Sequence, residues 1–480
     1  MDYKTTKSNS TLKLIMVIVF VALAVTITFV IGFGVGRFTQ SSNTPATSDR
    51  MSTLDAVYNV MINDFYYGED TEEYRDKLIN DAIKGMVDSQ GDIHTEYMTP
   101  EEVAEFSGAL QSSIVGIGIR YTELNGEILV VEVLRDSPAE RAGIQEGDFI
   151  VAVDGASCKD NGVDYVASLV TGEQGTEVTL TLDRMGKTLD VTATRDVIGT
   201  TISSKIVDGV GVLSINSFGD QTAEELRQHV NYLKQNNVKR LVIDLRDNGG
   251  GYAATLDAMC RYFMDNDEII MIEEDRNGRQ IVDKVKKSEK TEYEKIVILI
   301  NGNSASCSEV FTMALKENCG AVTVGTTSYG KGLAQLQKVF RDGSAIKYTD
   351  VIWKSGQGVF INGEGIDPDY EVLLDDALYV PYLSVEEGTS YGFDNVNAEI
   401  SLAQIKLKFL GYNIDRTDGY FSAVTEEAVK QFQSDNALNV SGRLDQETGV
   451  AIDAKVLYEW KINRSVHDVQ MQKAMELVKQ

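Results

Sequence analysis

A serine and a lysine lie where each could take part in acyl transfer. Ser306 stands where the apolar run Ile296–Ile300, interpreted as a buried strand, gives way to residues at helical spacing. A hydroxyl at such a junction lies beside its own backbone N–H and a helix N-terminus, and both can stabilise an oxyanion. Lys331 follows in the glycine-flanked turn Tyr329-Gly330-Lys331-Gly332. Because a desolvated lysine can act as a neutral base, the pair predicts a serine nucleophile activated by lysine.

Other nucleophiles near this position stay open on the residues alone. Ser304 and Ser308 flank Ser306, the first suited to the turn and the second to capping the helix. Cys307 could attack as a thiolate, although a small buried residue is the commoner role of such a cysteine. Ser306 is the preferred nucleophile among the three serines.

Histidine chemistry has little support. The chain has three histidines: His94, His229 and His467. None has a neighbour in sequence that would orient an imidazole, and His229 is expected on the solvated face of a helix. This weakens a Ser-His-Asp mechanism without excluding it.

Strands and helices alternate over residues 200–385, which predicts an α/β core. The expected strands and helices are Val210–Ile215, Arg240–Ile243, Ile296–Ile300, Ala321–Val324, Thr222–Lys234 and Tyr252–Phe263. Between one strand and one helix lies the glycine turn, Asp244–Gly251, whose three glycines free backbone amides to approach a ligand closely. It lacks the spacing of the nucleotide-binding loops.

A β-rich segment precedes this core. From Ser113 to about Arg195, β-branched strands alternate with glycine turns. Gly116-Ile117-Gly118-Ile119 could aim several backbone amides at one carboxylate. Together with SPAERAGIQEGDFIVAVDG further on, this loop resembles a PDZ domain, in which it would bind the free C-terminus of a polypeptide. An empty groove in a structural spacer is the alternative.

The C-terminal module, residues 396–456, contains an internal repeat of 23 residues. Asp418-Gly419-Tyr420-Phe421 recurs as Ser441-Gly442-Arg443-Leu444, and each copy predicts a turn followed by a capped helix. Through LGYNIDRTDGYFSAVTEEAVKQFQ the module resembles the small helical peptidoglycan-binding domain of cell-wall hydrolases. A general protein-interaction module is the alternative. Beyond it, residues 457–480 are expected to form a C-terminal helix.

The N-terminus predicts a membrane anchor. Residues 14–35 carry no charge and would span roughly 33 Å as a helix, enough to cross a ~30 Å hydrocarbon core. Lys4, Lys7 and Lys13 precede the run, which places residues 1–13 in the cytoplasm and the body of the chain outside. A cleaved signal peptide is the alternative, although the run is long and lacks a small-x-small cleavage site.

The composition narrows the partners and cofactors. A net charge of −28 argues against nucleic acid and against tight adhesion to anionic lipid. The four cysteines, 158, 260, 307 and 319, have no CxxC spacing, so we expect neither a disulfide framework nor a metal site. No cofactor is predicted.

The array of motifs resembles the carboxyl-terminal processing peptidases, the tail-specific serine peptidases of family S41. The matching segments are YMTPEE, the PDZ motifs, SINSF, DLRDNGGG, NGNSASCSE, TSYGKGLAQ and GEGIDPD. The resemblance implies a crotonase-like α/β core, Ser306 as nucleophile, Lys331 as general base and Gln335 orienting that lysine. It also implies an oxyanion hole made by the N–H groups of Cys307 and Gly250. Cys307 replaces the family's usual alanine.

The expected protein is a membrane-anchored extracytoplasmic serine endopeptidase that cleaves polypeptides near their C-termini. Its partners would be polypeptides with accessible C-termini, peptidoglycan, the cell membrane and, as one option, a second copy of the chain. A non-catalytic scaffold and a peptidoglycan stem-peptide hydrolase are the alternatives. The expected divisions of the chain are 1–13 (cytoplasmic tail), 14–35 (membrane helix), 36–51 (linker), 52–110 (helical region), 111–198 (PDZ domain), 199–385 (peptidase core), 396–456 and 457–480.

Overall fold

The computed structural model describes residues 47–109, 113–124, 126–199 and 201–480. The predicted cytoplasmic tail and membrane helix, residues 1–13 and 14–35, lie outside them. Within the described residues no helix is long and apolar enough to cross a membrane. The chain divides after Met86 into two compact units, of which the first contains helix α1 and most of α2.

Helices and strands are numbered here in chain order over the described residues. The α-helices are α1 (Thr47–Asn63), α2 (Glu72–Asp88), α3 (Pro100–Ala109), α4 (Pro138–Ala142), α5 (Gly162–Val170), α6 (Thr222–Gln235), α7 (Leu256–Cys260), α8 (Cys307–Cys319), α9 (Ala398–Phe409), α10 (Ala423–Asp435), α11 (Gln446–Ile462), α12 (Arg464–His467) and α13 (Val469–Lys479). The strands are β1 (Glu96–Met98), β2 (Ser113–Gly116), β3 (Ile119–Leu124), β4 (Glu127–Val133), β5 (Phe149–Val153), β6 (Ala156–Ser157), β7 (Glu177–Arg184), β8 (Lys187–Thr194), β9 (Asp196–Gly199), β10 (Ile202–Val207), β11 (Val210–Ile215), β12 (Arg240–Asp244), β13 (Ile269–Asp275), β14 (Gln280–Lys284), β15 (Lys295–Ile300), β16 (Val322–Gly325), β17 (Leu333–Val339), β18 (Ala345–Lys354), β19 (Tyr370–Glu371), β20 (Ser390–Tyr391) and β21 (Leu444–Asp445).

A six-stranded sheet forms the centre of the α/β core, in the order β10-β11-β12-β15-β16-β19. Within this sheet, β11, β12, β15, β16 and β19 are parallel to one another, and β10 is antiparallel to β11. One face packs against α6, α7 and α8, and the other face packs against α13. Burial on both faces explains why these strands read as continuous apolar runs, and their prediction is confirmed.

The core differs from the prediction in two respects. The helix expected over Tyr252–Phe263 is a 3₁₀ turn, Ala253–Thr255, followed by the short helix α7. The second difference is a five-stranded sheet that was not predicted, in which β1, β18, β13 and β14 are neighbours and β17 pairs with β18. This sheet matters for the site because β17 begins two residues after Lys331.

The β-rich segment folds as expected, around its own apolar core. Its sheet has the order β3-β4-β5-β7-β8, with β6 beside β5, while β2 pairs with β9. Strand β3 lies at the edge of this sheet, and the loop Gly116–Ile119 leads into it.

The C-terminal module contains α9, α10, most of α11 and the two-residue strand β21, which pairs with β20 just before the module. Both copies of the repeat are a turn followed by a capped helix, as predicted. Buried glutamines hold the two turns in the same way: Gln404 Oε1 accepts the Gly419 N–H at 3.1 Å, and Gln433 Oε1 accepts the Gly442 N–H at 2.9 Å.

The single C-terminal helix expected over residues 457–480 is wrong. Helix α11 continues to Ile462, the short α12 follows, and α13 begins after Asp468. The break occurs because the Asp468 side chain accepts the Met471 N–H at 2.8 Å, and such capping starts a new helix.

Candidate active site

Ser306 occupies the predicted junction between β15 and α8. It is the N-cap of α8 with φ 55° and ψ −116°, a backbone conformation that non-glycine residues rarely adopt. Such local strain persists where the surrounding structure enforces it, and it is concentrated at functional sites. The Ser306 side chain is partly accessible to solvent, as an attacking hydroxyl must be.

The neighbouring serines have structural hydrogen bonds instead. Ser304 and Ser308 are both fully buried. Ser304 Oγ donates to the Leu245 carbonyl at 2.8 Å, and Ser308 Oγ donates to the Asn248 carbonyl at 2.8 Å. The expected capping role of Ser308 is therefore wrong, and the geometry favours Ser306 over both neighbours.

A buried carboxylate joins the serine and lysine segments. Glu309 is 0% exposed. Its Oε2 accepts the backbone N–H of Ser306 at 2.8 Å and that of Lys331 at 2.9 Å. Its Oε1 accepts the Gly330 N–H at 2.7 Å and the Ser328 hydroxyl at 2.5 Å. This arrangement, the Glu309 clamp, thus fixes residues 306 and 331, which are 25 positions apart in the chain.

Glu309 was missed in the sequence, although a signal for it was present. Ser306 and Glu309 have the S-x-x-E spacing of a capping box, in which the glutamate returns to the backbone N–H of the capping serine. That pattern predicts the bond to Ser306. The bonds from Glu309 to the N–H groups of Gly330 and Lys331 depend on the tertiary fold, and no local sequence pattern predicts them.

Lys331 is half-buried, and its surroundings lower its pKa. Burial lowers its pKa, and the positive charge of Lys347 lowers it further, while Cys307, Asp92 and Glu309 act in the opposite direction. Among the described residues no carboxylate forms an ion pair with Lys331, and no hydrogen bond joins its ammonium to the Ser306 hydroxyl. Catalytic hydrogen bonds are often long without substrate, so this absence does not count against the pair.

Gln335 lies on β17, opposite Thr349 of β18. Its side-chain amide donates to Thr349 Oγ1 at 3.3 Å, and the Asp92 carboxylate also bonds the Thr349 side chain. The structure therefore places Gln335 near the lysine turn, with Thr349 as its hydrogen-bond partner.

A histidine lies closer to the lysine than the sequence indicated. Burial lowers the pKa of His94, and the charge of Lys331 lowers it further. Strand β1 pairs with β18 and brings this loop to the site. His229 accepts or donates a hydrogen bond with Ser204 at 2.7 Å, and burial lowers its pKa to about 4, so the expectation of a solvated face was wrong.

The predicted oxyanion donors are neighbours. Gly250 has φ 98°, and a Cβ on it would lie 2.9 Å from Ser306 Cβ and 3.0 Å from the Cys307 nitrogen. Only glycine fits this approach. The Gly250 N–H itself donates to Asn248 Oδ1 at 2.9 Å. The Cys307 thiol is buried, which raises its pKa to about 11 and disfavours the thiolate.

The predicted tail-binding loop lines a groove of about 240 Å³. Gly116, Ile117, Gly118 and Ile119 all border it, and apolar side chains from α5 form the opposite wall. Gly118 has φ 82°, and a Cβ there would lie 2.4 Å from Ser137 Cβ. The loop therefore needs glycine at 118 both for its backbone conformation and for space.

Comparison with known proteins identifies the family. The models for peptidase family S41, a PDZ domain and a peptidoglycan binding domain match residues 209–372, 129–184 and 396–452. Carboxy-terminal processing protease CtpA of Bacillus subtilis (strain 168) is 34% identical over 433 residues, 90% of each chain. A CtpA-like serine protease of Staphylococcus aureus (strain N315) is 34% identical over 431 residues, 89% of this chain and 85% of its own. Among solved structures, a photosystem II D1 C-terminal processing protease is 25% identical with a TM-score of 0.38, covering 68% of this chain and 94% of its own. On the strength of the two curated relatives, the chain belongs to peptidase family S41 and is a carboxy-terminal processing serine peptidase.

Proposed function

We propose that the chain hydrolyses polypeptides near their C-termini with Ser306 as nucleophile and Lys331 as general base. The observation that carries this proposal is the Glu309 clamp, because one buried carboxylate bonds the backbone N–H groups of both residues. The half-buried lysine, whose pKa is lowered by burial, adds the electrostatic support that a neutral amine requires.

In the proposed reaction, neutral Lys331 takes the proton of the Ser306 hydroxyl as its oxygen attacks the scissile carbonyl. The negative charge on the tetrahedral intermediate is stabilised by the Cys307 N–H and by Gly250, once the Gly250 N–H has exchanged its bond to Asn248 for the oxyanion. Lys331 then returns the proton to the leaving amine, and water hydrolyses the acyl-enzyme. Gln335 orients the lysine.

The PDZ domain selects the substrate in this proposal. Its groove is lined by apolar residues and by the loop Gly116–Ile119, and β3 is an edge strand. A polypeptide tail adds to β3 as a strand, and the loop amides bind the free carboxylate. An apolar C-terminal side chain fits the groove.

The location and the cell-wall contact are further parts of the proposal. The uncharged run of residues 14–35 anchors the chain, with residues 1–13 in the cytoplasm and residues 36–51 as a linker. Outside the membrane, the regions 52–110, 111–198, 199–385 and 396–456 follow as the helical, PDZ, peptidase and peptidoglycan-binding parts. A second copy of the chain is a candidate partner.

Labelling with a fluorophosphonate tests the nucleophile. We expect a single adduct on Ser306, no turnover of an unfolded protein by Ser306→Ala, and substantial turnover by Ser304→Ala and Ser308→Ala. An adduct on another residue, or full activity of Ser306→Ala, would overturn the assignment. Sedimentation of the full chain with purified peptidoglycan tests the role of the C-terminal module.

A further inference from the structure

The last helix of the chain completes the peptidase domain, although the C-terminal module precedes it. Helix α13 packs across one face of the six-stranded sheet through Ala474, Leu477 and Val478. The last strand of that sheet, β19, ends at Glu371. Residues 396–452, which match the peptidoglycan binding domain, are therefore inserted between β19 and α13 of one fold.

The residue that starts α13 is bonded to the glycine turn. Asp468 is 1% exposed. Its Oδ1 accepts from Arg246 Nη1 at 2.8 Å, and its Oδ2 accepts from Arg246 Nη2 at 2.8 Å. Gln470 Oε1 accepts from the same Nη1 at 2.9 Å, and the Gln470 amide donates to the Val372 carbonyl at 2.7 Å. The start of α13 is thereby fixed to Arg246 and to the end of β19.

Arg246 also bonds a second carboxylate, that of Asp244. Nε donates to Asp244 Oδ1 at 2.9 Å, and Nη2 donates to Asp244 Oδ2 at 2.6 Å. The Arg246 side chain is only 4% exposed. Burial opposes the ionisation of Asp468, but the hydrogen bonds and charge of Arg246 outweigh it and hold the pKa of Asp468 below its usual range. Loss of Asp468 would leave Arg246 with Asp244 alone, and removing one partner from a buried ion cluster is costly.

The residues after Arg246 hold the segment that carries Ser306. The Asp247 carboxylate accepts from the side-chain amides of Asn301 and Asn303, at 2.8 Å and 2.9 Å. The Asn248 carbonyl accepts the Ala305 N–H at 3.0 Å. A displacement of the glycine turn would therefore displace the Ser306 segment with it.

The same turn carries Gly250. Asn248 Nδ2 donates to the Ile215 carbonyl at 2.8 Å, and Asn248 Oδ1 accepts the Gly250 N–H. Gly250 in turn lies against Ser306 and the Cys307 nitrogen. The position of Arg246 thus determines where the proposed oxyanion donors meet.

We propose that Asp468 is a positioning residue for the peptidase reaction: by binding Arg246 it fixes the glycine turn, and with it Gly250, against the Ser306 segment. The inference rests on the proposed role of Ser306. In this proposal a residue beyond the C-terminal module, Asp468, affects the rate of acylation, although it contacts no substrate. No local pattern in the sequence connects position 468 with position 246.

Asp468→Asn in the full chain tests this role. Asparagine keeps the volume and the Oδ1 that caps Met471, but it removes the charge and one acceptor of Arg246. We expect the rate of Ser306 labelling by a fluorophosphonate and kcat on an unfolded protein to fall about tenfold or more, with KM changed less than about twofold. Arg246→Lys keeps the charge and loses the paired geometry, so it should also lower kcat with little change in KM. This variant replaces Asp468→Asn as the test if Asp468→Asn does not fold.

Leu477→Ala is the matched control, because it weakens the packing of α13 on the sheet and leaves the Arg246 bonds in place. It should lower the melting temperature and retain the labelling rate at temperatures where the variant is folded. Equal loss of labelling in Leu477→Ala would mean a stability effect and overturn the proposal. Unchanged labelling in Asp468→Asn would overturn it as well. If the unmodified chain were not labelled at Ser306, the proposed nucleophile itself would be wrong.

Discussion

Two glycine loops in this molecule present backbone amides, and they are held in different ways. Gly118 in the PDZ domain and Gly250 in the peptidase domain have positive φ values, 82° and 98°. The carbonyls of Ile117 and Gly118 accept backbone N–H groups of residues 139 and 134, and apolar side chains surround the loop. The turn at Gly250 also has backbone bonds, such as that from the Phe218 N–H to the Gly250 carbonyl at 3.0 Å, but side chains hold it in addition, including the buried ion pair of Arg246.

Under the proposed function, the difference follows from what each loop would have to do. A tail-binding groove accepts many polypeptides, so apolar contact and backbone bonds are sufficient to keep it open. A reacting carbonyl must meet its donors within a fraction of an ångström, and charged or amide side chains with paired geometry define such positions. We therefore expect substitutions near Gly250 to act on kcat and those near Gly118 to act on KM.

The largest effect is expected for Glu309→Gln. The glutamine amide would face four donors, the N–H groups of residues 306, 330 and 331 and the Ser328 hydroxyl, with one acceptor fewer. Misplacement of Ser306 and Lys331 should lower kcat on the order of a hundredfold. Steady-state kinetics and Ser306 labelling measure it.

Glu225→Gln is the matched control for that prediction. Glu225 is also buried, and its Oε2 accepts the N–H groups of Thr201 and Ile202 at 3.1 Å. Its loss should destabilise the fold and leave kcat of the folded enzyme within about threefold. A similar fall of kcat in both variants would contradict a specific role of Glu309.

Gly118→Ala should act on binding. The new Cβ would lie 2.4 Å from Ser137 Cβ at a positive φ, so the loop must shift and lose hydrogen bonds to the substrate carboxylate. We expect KM for a substrate with a free C-terminus to rise about tenfold with kcat unchanged. Gly186→Ala is the control, because Gly186 lies outside the groove, also has a positive φ of 77°, and has no atom within 4 Å of a new Cβ, so this variant should keep the KM of the unmodified enzyme. Equal cleavage of free-acid and amidated substrates by the unmodified enzyme would refute carboxylate binding.

The smallest effect concerns the pH dependence of the lysine. Lys331 acts as a base only when neutral, so kcat/KM should rise with pH through its pKa, which burial and then Lys347 hold below the ordinary value. Lys347→Gln removes a positive charge, which raises the pKa of Lys331 and moves the rise to higher pH. Asp92→Asn removes a negative charge and should move it to lower pH. Shifts in the same direction for both variants would show that these charges do not control the base.

How much of the fold could be predicted from the sequence depends on whether the interactions that form each element are local in the chain. The strands β11, β12, β15 and β16 were predicted because burial on both faces leaves apolar runs in the sequence. Strands β17 and β18 are only partly buried and mix polar with apolar residues, so their sheet left no such pattern.

The candidate site divides in the same way. Ser306, Lys331 and the glycine turn lie in recognisable local motifs, and Glu309 could have been found from the capping-box spacing. The approach of His94 to Lys331 and the bond from Asp468 to Arg246 join segments far apart in the chain. Only strand pairing and helix packing bring them together.

The position of the C-terminal module also determines the order in which the enzyme can be assembled. The chain emerges from the ribosome with its N-terminus first, so β10 to β19 emerge before α13. Until residues 469–479 have been made, one face of the sheet is uncovered and Arg246 lacks the carboxylate of Asp468. If Ser306 is the nucleophile and Asp468 positions the glycine turn, the nascent chain contains Ser306 before Gly250 is fixed against it. Under the proposed function, peptidase activity would therefore come last, after the PDZ domain and the C-terminal module have been made.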